Sequence, residues 1–269
     1  MPAHRDSGKV SAKVGRALAT AVAVLAVAAI APAAHAQTPT PYKDVASGGP
    51  LTHVYLGNEL SCQVAHTGDA AFELFPSSSI PGSCGTFIFV NGALYAPDFA
   101  NHSGSATSSL GAYTPYTVVS QSEVGGAGTT ASPYKVTTVV DVGTTGLRIT
   151  QVDTYVVGQE SYRTDVTIQN TGGAALSGIV YRAGDCFLQG NDQGYGFVDT
   201  PNAAAGCSIN ANNSPPARIE QWFPLTAGAT YMEAGFSTVW GAIGAHAQFP
   251  NTCECTNQID NGAGISWNF

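Results

Sequence analysis

The sequence has little charge and few basic residues. Charged side chains make up 10% of the 269 residues, and four of the ten Lys and Arg lie within the first sixteen positions. Residues 37–269 therefore contain six basic and seventeen acidic residues, a net charge of −11. Because such a surface repels phosphate backbones and anionic lipids, we expect no nucleic-acid partner and no acidic membrane partner.

Recognisable enzyme motifs are also missing. The sequence contains no Gly-x-Ser-x-Gly, no His-Glu-x-x-His, no phosphate-binding glycine loop and no Cys-x-x-Cys. After residue 36, no segment repeats apolar residues at helical spacing over three turns, which argues against a helical protein. The sequence alone therefore predicts no catalytic residue, no cofactor and no metal.

The first thirty-six residues have the three parts of a signal peptide. A basic segment that ends at Arg16 precedes an apolar run over residues 17–33, and Ala34-His35-Ala36 supplies the small residues of a cleavage site. An uncleaved membrane anchor is disfavoured because the run is short, rich in alanine and interrupted by Pro32. We expect cleavage before Gln37, a secreted or cell-wall-associated protein and no membrane span in the mature chain.

All six cysteines follow the predicted cleavage site. An even number of cysteines in an oxidising compartment predicts three disulfides. The spacing favours pairing of Cys62 with Cys84 and of Cys186 with Cys207. For Cys253 and Cys255 three alternatives remain open: a strained disulfide with each other, cross-pairing with Cys186 and Cys207, or a metal site.

The middle of the sequence predicts antiparallel strands. Residues 134–142, 147–157 and 161–169 are rich in β-branched and aromatic side chains and are separated by glycine-containing turns. In the third of these segments polar and apolar residues alternate, which indicates one packed and one solvated face. Residues 175–181 are predicted to continue this meander. Further strands are predicted at residues 84–90, 116–120, 218–223 and 236–243.

These elements predict an all-β chain, an antiparallel β-sandwich of the supersandwich type with local disulfides. We expect a signal peptide at residues 1–36, a flexible leader at 37–50 and one sandwich domain at 51–269. The chain stops inside a strand-like segment, residues 265–269, so the domain is expected to be C-terminally incomplete, with an exposed last strand.

One loop, residues 181–197, gathers most of the candidate ligand-binding residues. Amides and carboxylates can hydrogen-bond the hydroxyl groups of a sugar, and an aromatic ring can pack against its C–H face. Asn191 and Asp192 could instead offer oxygens to Ca²⁺, or the polar groups could simply satisfy one another. The candidate ligand-binding residues are Arg182, Asp185, Gln189, Asn191, Asp192, Tyr195, Glu220 and Trp222.

A catalytic alternative needs an acid and a base that face each other in a cleft. The sequence offers Asp185, Glu220, Glu233 and His246 for this role, with Glu220 and Glu233 as a carboxylate pair of the kind used by glycosidases. No two of the histidines after residue 36, His53, His66, His102 and His246, share a metal-ligand spacing. Structural roles are expected for them, with His66 or His102 as a general base as the alternative.

Two groups of segments resemble a domain of secreted, largely uncharacterised proteins of Gram-positive bacteria. The first is LSCQVAHTG at residues 60–68 with CGTF at 84–87, and the second is YRAGDCFLQGNDQGYGF at 181–197 with NTCECTNQIDNGAGISW at 251–267. The resemblance covers about residues 50–269. It implies a module near the N-terminus of a surface protein, with further strands after residue 267, and no assigned activity.

Residues 146–176, GLRITQVDTYVVGQESYRTDVTIQNTGGAAL, are similar to the meander of galactose-mutarotase-like supersandwich domains. This similarity implies a large sandwich with a loop that faces a sugar. In that family the loop often begins with a catalytic His-x-Tyr-Phe, whereas this chain has Gly184-Asp185-Cys186-Phe187. The resemblance therefore implies the fold and the sugar-facing loop, without the catalytic histidine.

The leading hypothesis is a secreted, non-catalytic module that binds glycan or another cell-surface polymer through the loop at residues 181–197. One alternative is a carbohydrate-active enzyme of the epimerase or lyase type. The other is a structural spacer whose exposed last strand pairs with a partner. The sequence does not predict an oligomeric state.

Overall fold

The computed structural model describes residues 41–69, 71–101, 107–215 and 217–269. The predicted signal peptide and His102 lie outside this described part. The described residues belong to one compact unit. They form mostly antiparallel strands with little helix, as predicted.

Two sheets form the central sandwich. The larger has seven strands in the order β16-β15-β17-β11-β4-β5-β6, and the smaller has four in the order β10-β9-β8-β7. The larger sheet contains β4 (Cys84–Val90), β5 (Ala93–Ala96), β6 (Thr114–Pro115), β11 (Gly178–Asp185), β15 (Thr230–Gly235), β16 (Thr252–Cys253) and β17 (Asn261–Asn268). The smaller contains β7 (Thr117–Gln121), β8 (Tyr134–Asp141), β9 (Leu147–Tyr155) and β10 (Arg163–Asn170).

Two three-stranded sheets complete the fold. One consists of β1 (Tyr42–Ala46), β2 (Leu51–Gly57) and β3 (Cys62–His66), and the other of β12 (Tyr195–Asp199), β13 (Ala204–Ser208) and β14 (Ile219–Trp222). The short helical elements are α1 (Phe236–Gly244) and the 3-10 turns Phe99–Asn101, Thr107–Leu110, Leu188–Gly190, Thr200–Asn202 and Ala211–Asn213.

The core lies on both faces of the seven-stranded sheet. On one face Ile88 and Val180 pack against Val140 and Ile149 of the four-stranded sheet. On the other face Trp240 of α1 packs against Phe87, with ring centroids 5.6 Å apart. The alternation along β4 explains this arrangement, because successive side chains of a strand point to opposite faces.

Two predicted elements are wrong. Residues 236–243 form helix α1 rather than a strand, because Val239, Trp240 and Ile243 recur at helical spacing and cover the sheet together. Residues 175–181 do not continue the meander, since β11 leaves β10 and pairs with β4 and β17 in the other sheet.

Both ends of the described domain also pair with neighbouring strands, whereas the sequence predicted a flexible leader and an exposed last strand. Within the predicted flexible leader, Tyr42–Ala46 forms β1, which pairs with β2 and buries Val45. The last strand, β17, is not exposed at an edge, because it lies between β15 and β11 and pairs with both. The spacer hypothesis therefore loses the unpaired strand on which it depended. Among the described residues, no helix is long and apolar enough to cross a bilayer.

Candidate functional site

The candidate site is built around the loop that follows β11. Cys186, directly after the strand, forms a disulfide with Cys207 of β13, and their Cα atoms are 6.5 Å apart. Farther along, Gly194 and Ile259 exchange two backbone hydrogen bonds of 2.8 and 2.9 Å. The loop is thus held at both ends, to β13 by a covalent bond and to the segment before β17 by backbone pairing.

Between these anchors the loop exposes several amide side chains. Gln189, Asn191 and Gln193 are exposed, and Tyr195 is half-buried at the start of β12. The Asn191 Oδ1 accepts a hydrogen bond from the Gln193 backbone N–H at 3.0 Å, which fixes the turn between them. A shallow depression lies beside the loop and is walled by the Cys186–Cys207 disulfide, Leu188, Asn191 and Gln193.

Three of the sequence-predicted ligand residues are buried: Arg182, Trp222 and Asp185. Arg182 is only 9% exposed, and it donates hydrogen bonds to the Thr86 Oγ1 at 3.1 Å and the Tyr162 hydroxyl at 2.9 Å. Trp222 is 8% exposed and packs where a Cβ on Gly184 would collide with its ring at 2.6 Å. The side chains of Arg182 and Trp222 thus have their contacts inside the fold.

Three aspartates from separate segments converge at the base of the loop. One carboxylate oxygen from each of Asp185, Asp192 and Asp260 lies within 4.8 Å of the other two. Asp185 ends β11, Asp192 belongs to the loop, and Asp260 immediately precedes β17. We call these three residues the aspartate cluster.

The aspartate cluster is electrostatically unfavourable when its members are charged. Burial, followed by the charges of Asp260 and Asp192, raises the pKa of Asp185 to about 9. Burial and the charge of Asp192 raise the pKa of Asp260 to about 6, and burial also raises the pKa of Asp192. The repulsion between these carboxylates is removed when a proton or a cation binds.

Glu220 lies near this cluster on β14, opposite Cys207 of β13. Its Oε2 is buried and accepts no hydrogen bond. Burial raises the pKa of Glu220 well above its ordinary value, and the neighbouring charges of Glu73 and Asp185 add to the effect.

A second acidic pair, Glu73 and Asp69, lies on the other side of the loop. The Glu73 Oε1 and Asp69 Oδ2 are both buried without a donor, whereas the Glu73 Oε2 accepts the Gln189 backbone N–H at 3.4 Å. Burial raises the pKa of Glu73 to about 8, and a hydrogen bond from its protonated form to Asp69 contributes. A proton on Glu73, shared with Asp69, would give both of these oxygens a hydrogen-bond partner. Arg218 balances the remaining charge of Asp69 at 3.4 Å.

This shared proton predicts that replacing Glu73 changes how stability depends on pH. A carboxyl group with a raised folded-state pKa stabilises fully below its unfolded value, and this contribution is lost as pH rises from about 4.5 to 8. We expect Glu73→Gln, which keeps a donor to Asp69 without an ionisable group, to match the wild type at pH 5. At pH 9 we expect it to be more stable by about 2–4 kcal/mol.

Thermal unfolding between pH 5 and 9 measures this difference. Glu123→Gln is the control, because Glu123 is an exposed carboxylate in an ion pair with Lys43. Parallel curves for wild type and Glu73→Gln would show that Glu73 carries no such proton.

Glu233 takes part in a buried hydrogen-bond network. It is fully buried on β15, and its carboxylate accepts hydrogen bonds from the Asn261 side chain and, at 2.9 Å, from the Glu254 backbone N–H. Burial raises its pKa to about 7, although these hydrogen bonds lower it. Asn261 also accepts the Gly194 N–H at 3.0 Å, so this network holds the far end of the loop.

The described histidines have structural contacts. His246 stacks on Phe89 at 4.1 Å, and Phe89 lies opposite Ile179, at the other end of β11 from Asp185. At about 3.3 Å per residue, this separates His246 from the aspartate cluster by roughly 20 Å. His53 pairs with Asp44 and His66 with Glu160, each at 2.9 Å.

Sequence reasoning found Asp185 and Asp192 but missed Asp260, Glu73 and Asp69. Asp260 had a weak signal, since it lies in a segment of Asn and Gly residues before an apolar strand. Glu73 and Asp69 had none, because their importance comes from burial beneath the loop. The three disulfides join Cys62 with Cys84, Cys186 with Cys207 and Cys253 with Cys255, which confirms the two local pairings and closes the open alternatives for the last pair.

No protein-family model and no curated protein matches the chain.

Proposed function

We propose that the chain is a secreted, non-catalytic β-sandwich module that binds glycan or another cell-surface polymer through residues 187–195. The observation that carries this proposal is a row of exposed amide side chains, Gln189, Asn191 and Gln193, on a loop anchored at both ends. Such amides donate to and accept from pairs of sugar hydroxyls, while the half-exposed ring of Tyr195 offers an apolar face.

The anchoring supports binding because it limits the entropy lost when a ligand orders the loop. The Cys186–Cys207 disulfide and the Gly194–Ile259 pairing fix the backbone in advance. Neutral hydrogen-bonding groups also suit an uncharged polymer better than an anionic one, given the net charge of −11 on residues 37–269. Export is supported by the signal-peptide pattern together with three disulfides.

A carbohydrate-active enzyme is the second candidate. It is favoured by the electrostatic coupling of Glu220 with Asp185, because perturbed carboxyl groups concentrate at active sites. It is disfavoured because an acid and a base need pKa values that differ, and burial raises the pKa of both groups. Epimerase or lyase turnover that disappears in Glu220→Gln would replace our proposal with this one.

Binding to a panel of bacterial and plant polysaccharides tests the proposal. For each polysaccharide bound by the purified protein, we expect Gln193→Ala and Tyr195→Ala to weaken binding at least about tenfold, as the loss of one good hydrogen bond or ring contact requires. Gln169→Ala is the matched control, because Gln169 is equally exposed on β10. Failure to bind any polysaccharide, or equal weakening in Gln169→Ala, would remove the proposal.

A further inference from the structure

We infer that the aspartate cluster, Asp185, Asp192 and Asp260, is a calcium-binding site. The sequence offered Ca²⁺ only as an alternative for Asn191 and Asp192, and the inference goes beyond the proposed glycan binding, because an ion can occupy this position with or without a polymer on the loop. Its starting point is the geometry of the three carboxylate oxygens, all within 4.8 Å of one another. Oxygens that bind one Ca²⁺ at about 2.3–2.6 Å cannot be more than about 5 Å apart.

The second observation is that these oxygens lack partners although they are buried. Asp185 is only 1% exposed, and its Oδ1 accepts no hydrogen bond. The Oδ1 atoms of Asp192 and Asp260 are buried and unpartnered in the same way. Nearly all buried polar atoms of folded proteins have a partner, and an ion is one of the partners that can supply the missing contact.

A shared proton does not explain this cluster as it does the pair of Glu73 and Asp69. That pair has two unpartnered buried oxygens, which a single proton can join. The aspartate cluster has three such oxygens, so a single proton leaves at least one of them without a partner. A positive ion at the centre neutralises all three at once.

The chemistry of the ligands selects calcium. All three are carboxylates, which are the hard oxygen donors that Ca²⁺ prefers, and the cluster contains no imidazole or thiolate for zinc. Asp192 and Asp260 are partly exposed, so water can complete the six to eight ligands that Ca²⁺ takes. Mg²⁺ demands a tighter octahedron and retains its water more firmly.

The group of Glu233, Cys253 and Cys255 also lies close together, yet it is not an equivalent site. Its two sulfurs are joined in a disulfide and are therefore not thiolate ligands. The Glu233 carboxylate already accepts hydrogen bonds from Asn261 and from the Glu254 backbone.

Calcium bound at the cluster would tie together three segments that are distant in sequence. It would hold the end of β11, the loop and the segment before β17 at one point, alongside the Cys186–Cys207 disulfide. Calcium sites of extracellular modules commonly have dissociation constants of about 10⁻⁴–10⁻³ M. At 10 mM Ca²⁺ and a dissociation constant of about 10⁻⁴ M, the folding equilibrium shifts toward the native state about 100-fold.

The experiment is a titration of the chelator-treated, purified protein with CaCl₂, followed by calorimetry and thermal unfolding. We expect saturable binding of one ion and a rise in the unfolding temperature. Asp192→Asn and Asp260→Asn should weaken binding at least tenfold. Asp199→Asn should bind like the wild type, because Asp199 is a similarly half-buried aspartate whose partner is Asn202. Asp185→Asn should abolish binding if it folds. If it does not fold, Asp192→Asn and Asp260→Asn still test the site, because both positions are partly exposed.

Three results would overturn the inference. These are no saturable heat up to 10 mM CaCl₂, an equal response to MgCl₂ or to NaCl of the same ionic strength, and equal weakening in Asp199→Asn. Polysaccharide binding is measured separately, with calcium and with chelator. Calcium binding without glycan binding would leave this inference intact and remove the proposed function. Glycan binding without calcium binding would remove this inference and leave the proposed function intact.

Discussion

The Arg182→Ala variant is expected to lose about 3–5 kcal/mol of unfolding free energy, because it leaves a buried charge without its partner. Arg182 lies inside the sandwich, and its positive charge lowers the pKa of Asp153 of β9, a residue that is 2% exposed. The Asp153 carboxylate accepts hydrogen bonds from Gln151 at 2.8 Å and from Thr164 at 2.6 Å, and Arg182 supplies the positive charge that favours its ionised form.

The pH dependence distinguishes this loss from a simple loss of packing. Burial raises the pKa of Asp153, and Arg182 lowers it, so removing the arginine raises the pKa further. A carboxyl group with a raised folded-state pKa contributes stability that is present below about pH 4 and lost as pH rises. The cost of Arg182→Ala should therefore be larger at pH 7 than at pH 4, as measured by urea unfolding at both values.

Arg163→Ala is the control, since Arg163 is an exposed residue of β10 that pairs with Asp165. An exposed pair contributes little, and we expect a change within about 0.5 kcal/mol. If Arg182→Ala were as mild as this control, or weakened polysaccharide binding while leaving stability intact, Arg182 would be a ligand residue as the sequence first indicated.

The double variant Cys186→Ala/Cys207→Ala is expected to lose about 3 kcal/mol of unfolding free energy. On the chain-entropy model, removing a cross-link between residues 21 positions apart raises the conformational entropy of the unfolded chain, which lowers the free energy of unfolding by this amount. The disulfide also joins the seven-stranded sheet to β13 beside the aspartate cluster. We therefore expect faster proteolysis within residues 187–194 and weaker calcium binding in addition.

Cys62→Ala/Cys84→Ala provides the matched comparison, because its cysteines are 22 positions apart and should cost nearly the same stability. Guanidinium unfolding measures the stability of both variants, and limited proteolysis with calcium titration measures the loop. Equal effects of the two double variants on the loop would mean that the Cys186–Cys207 bond has only a global role.

The sequence predicted those parts of the fold that are encoded locally. The strands over residues 134–142, 147–157 and 161–169 were found because alternating side chains and glycine turns mark each of them. Helix α1 was missed because Phe236, Val239 and Trp240 favour strands in isolation, and nine residues are too few to display a clear helical period. Its conformation depends on the sheet beneath it.

Long-range placement could not be predicted in the same way. Asp185 and Asp192 were recognised as neighbours because the loop joins them, but Asp260 comes to them only through the pairing of β17 with β11. The burial of Arg182 was not predicted, because its polar sequence surroundings concealed its place in the buried part of a strand. Burial and strand partners, rather than residue type, decided both cases.

The central place of β17 has a consequence for how the chain matures. Until Asn261–Asn268 has been synthesised, β15 and β11 have no neighbour between them, so the largest sheet stays split into two halves. Nascent chains on the ribosome would accordingly lack a complete sheet until translation has passed residue 268. Pairings between segments so distant in sequence also form slowly.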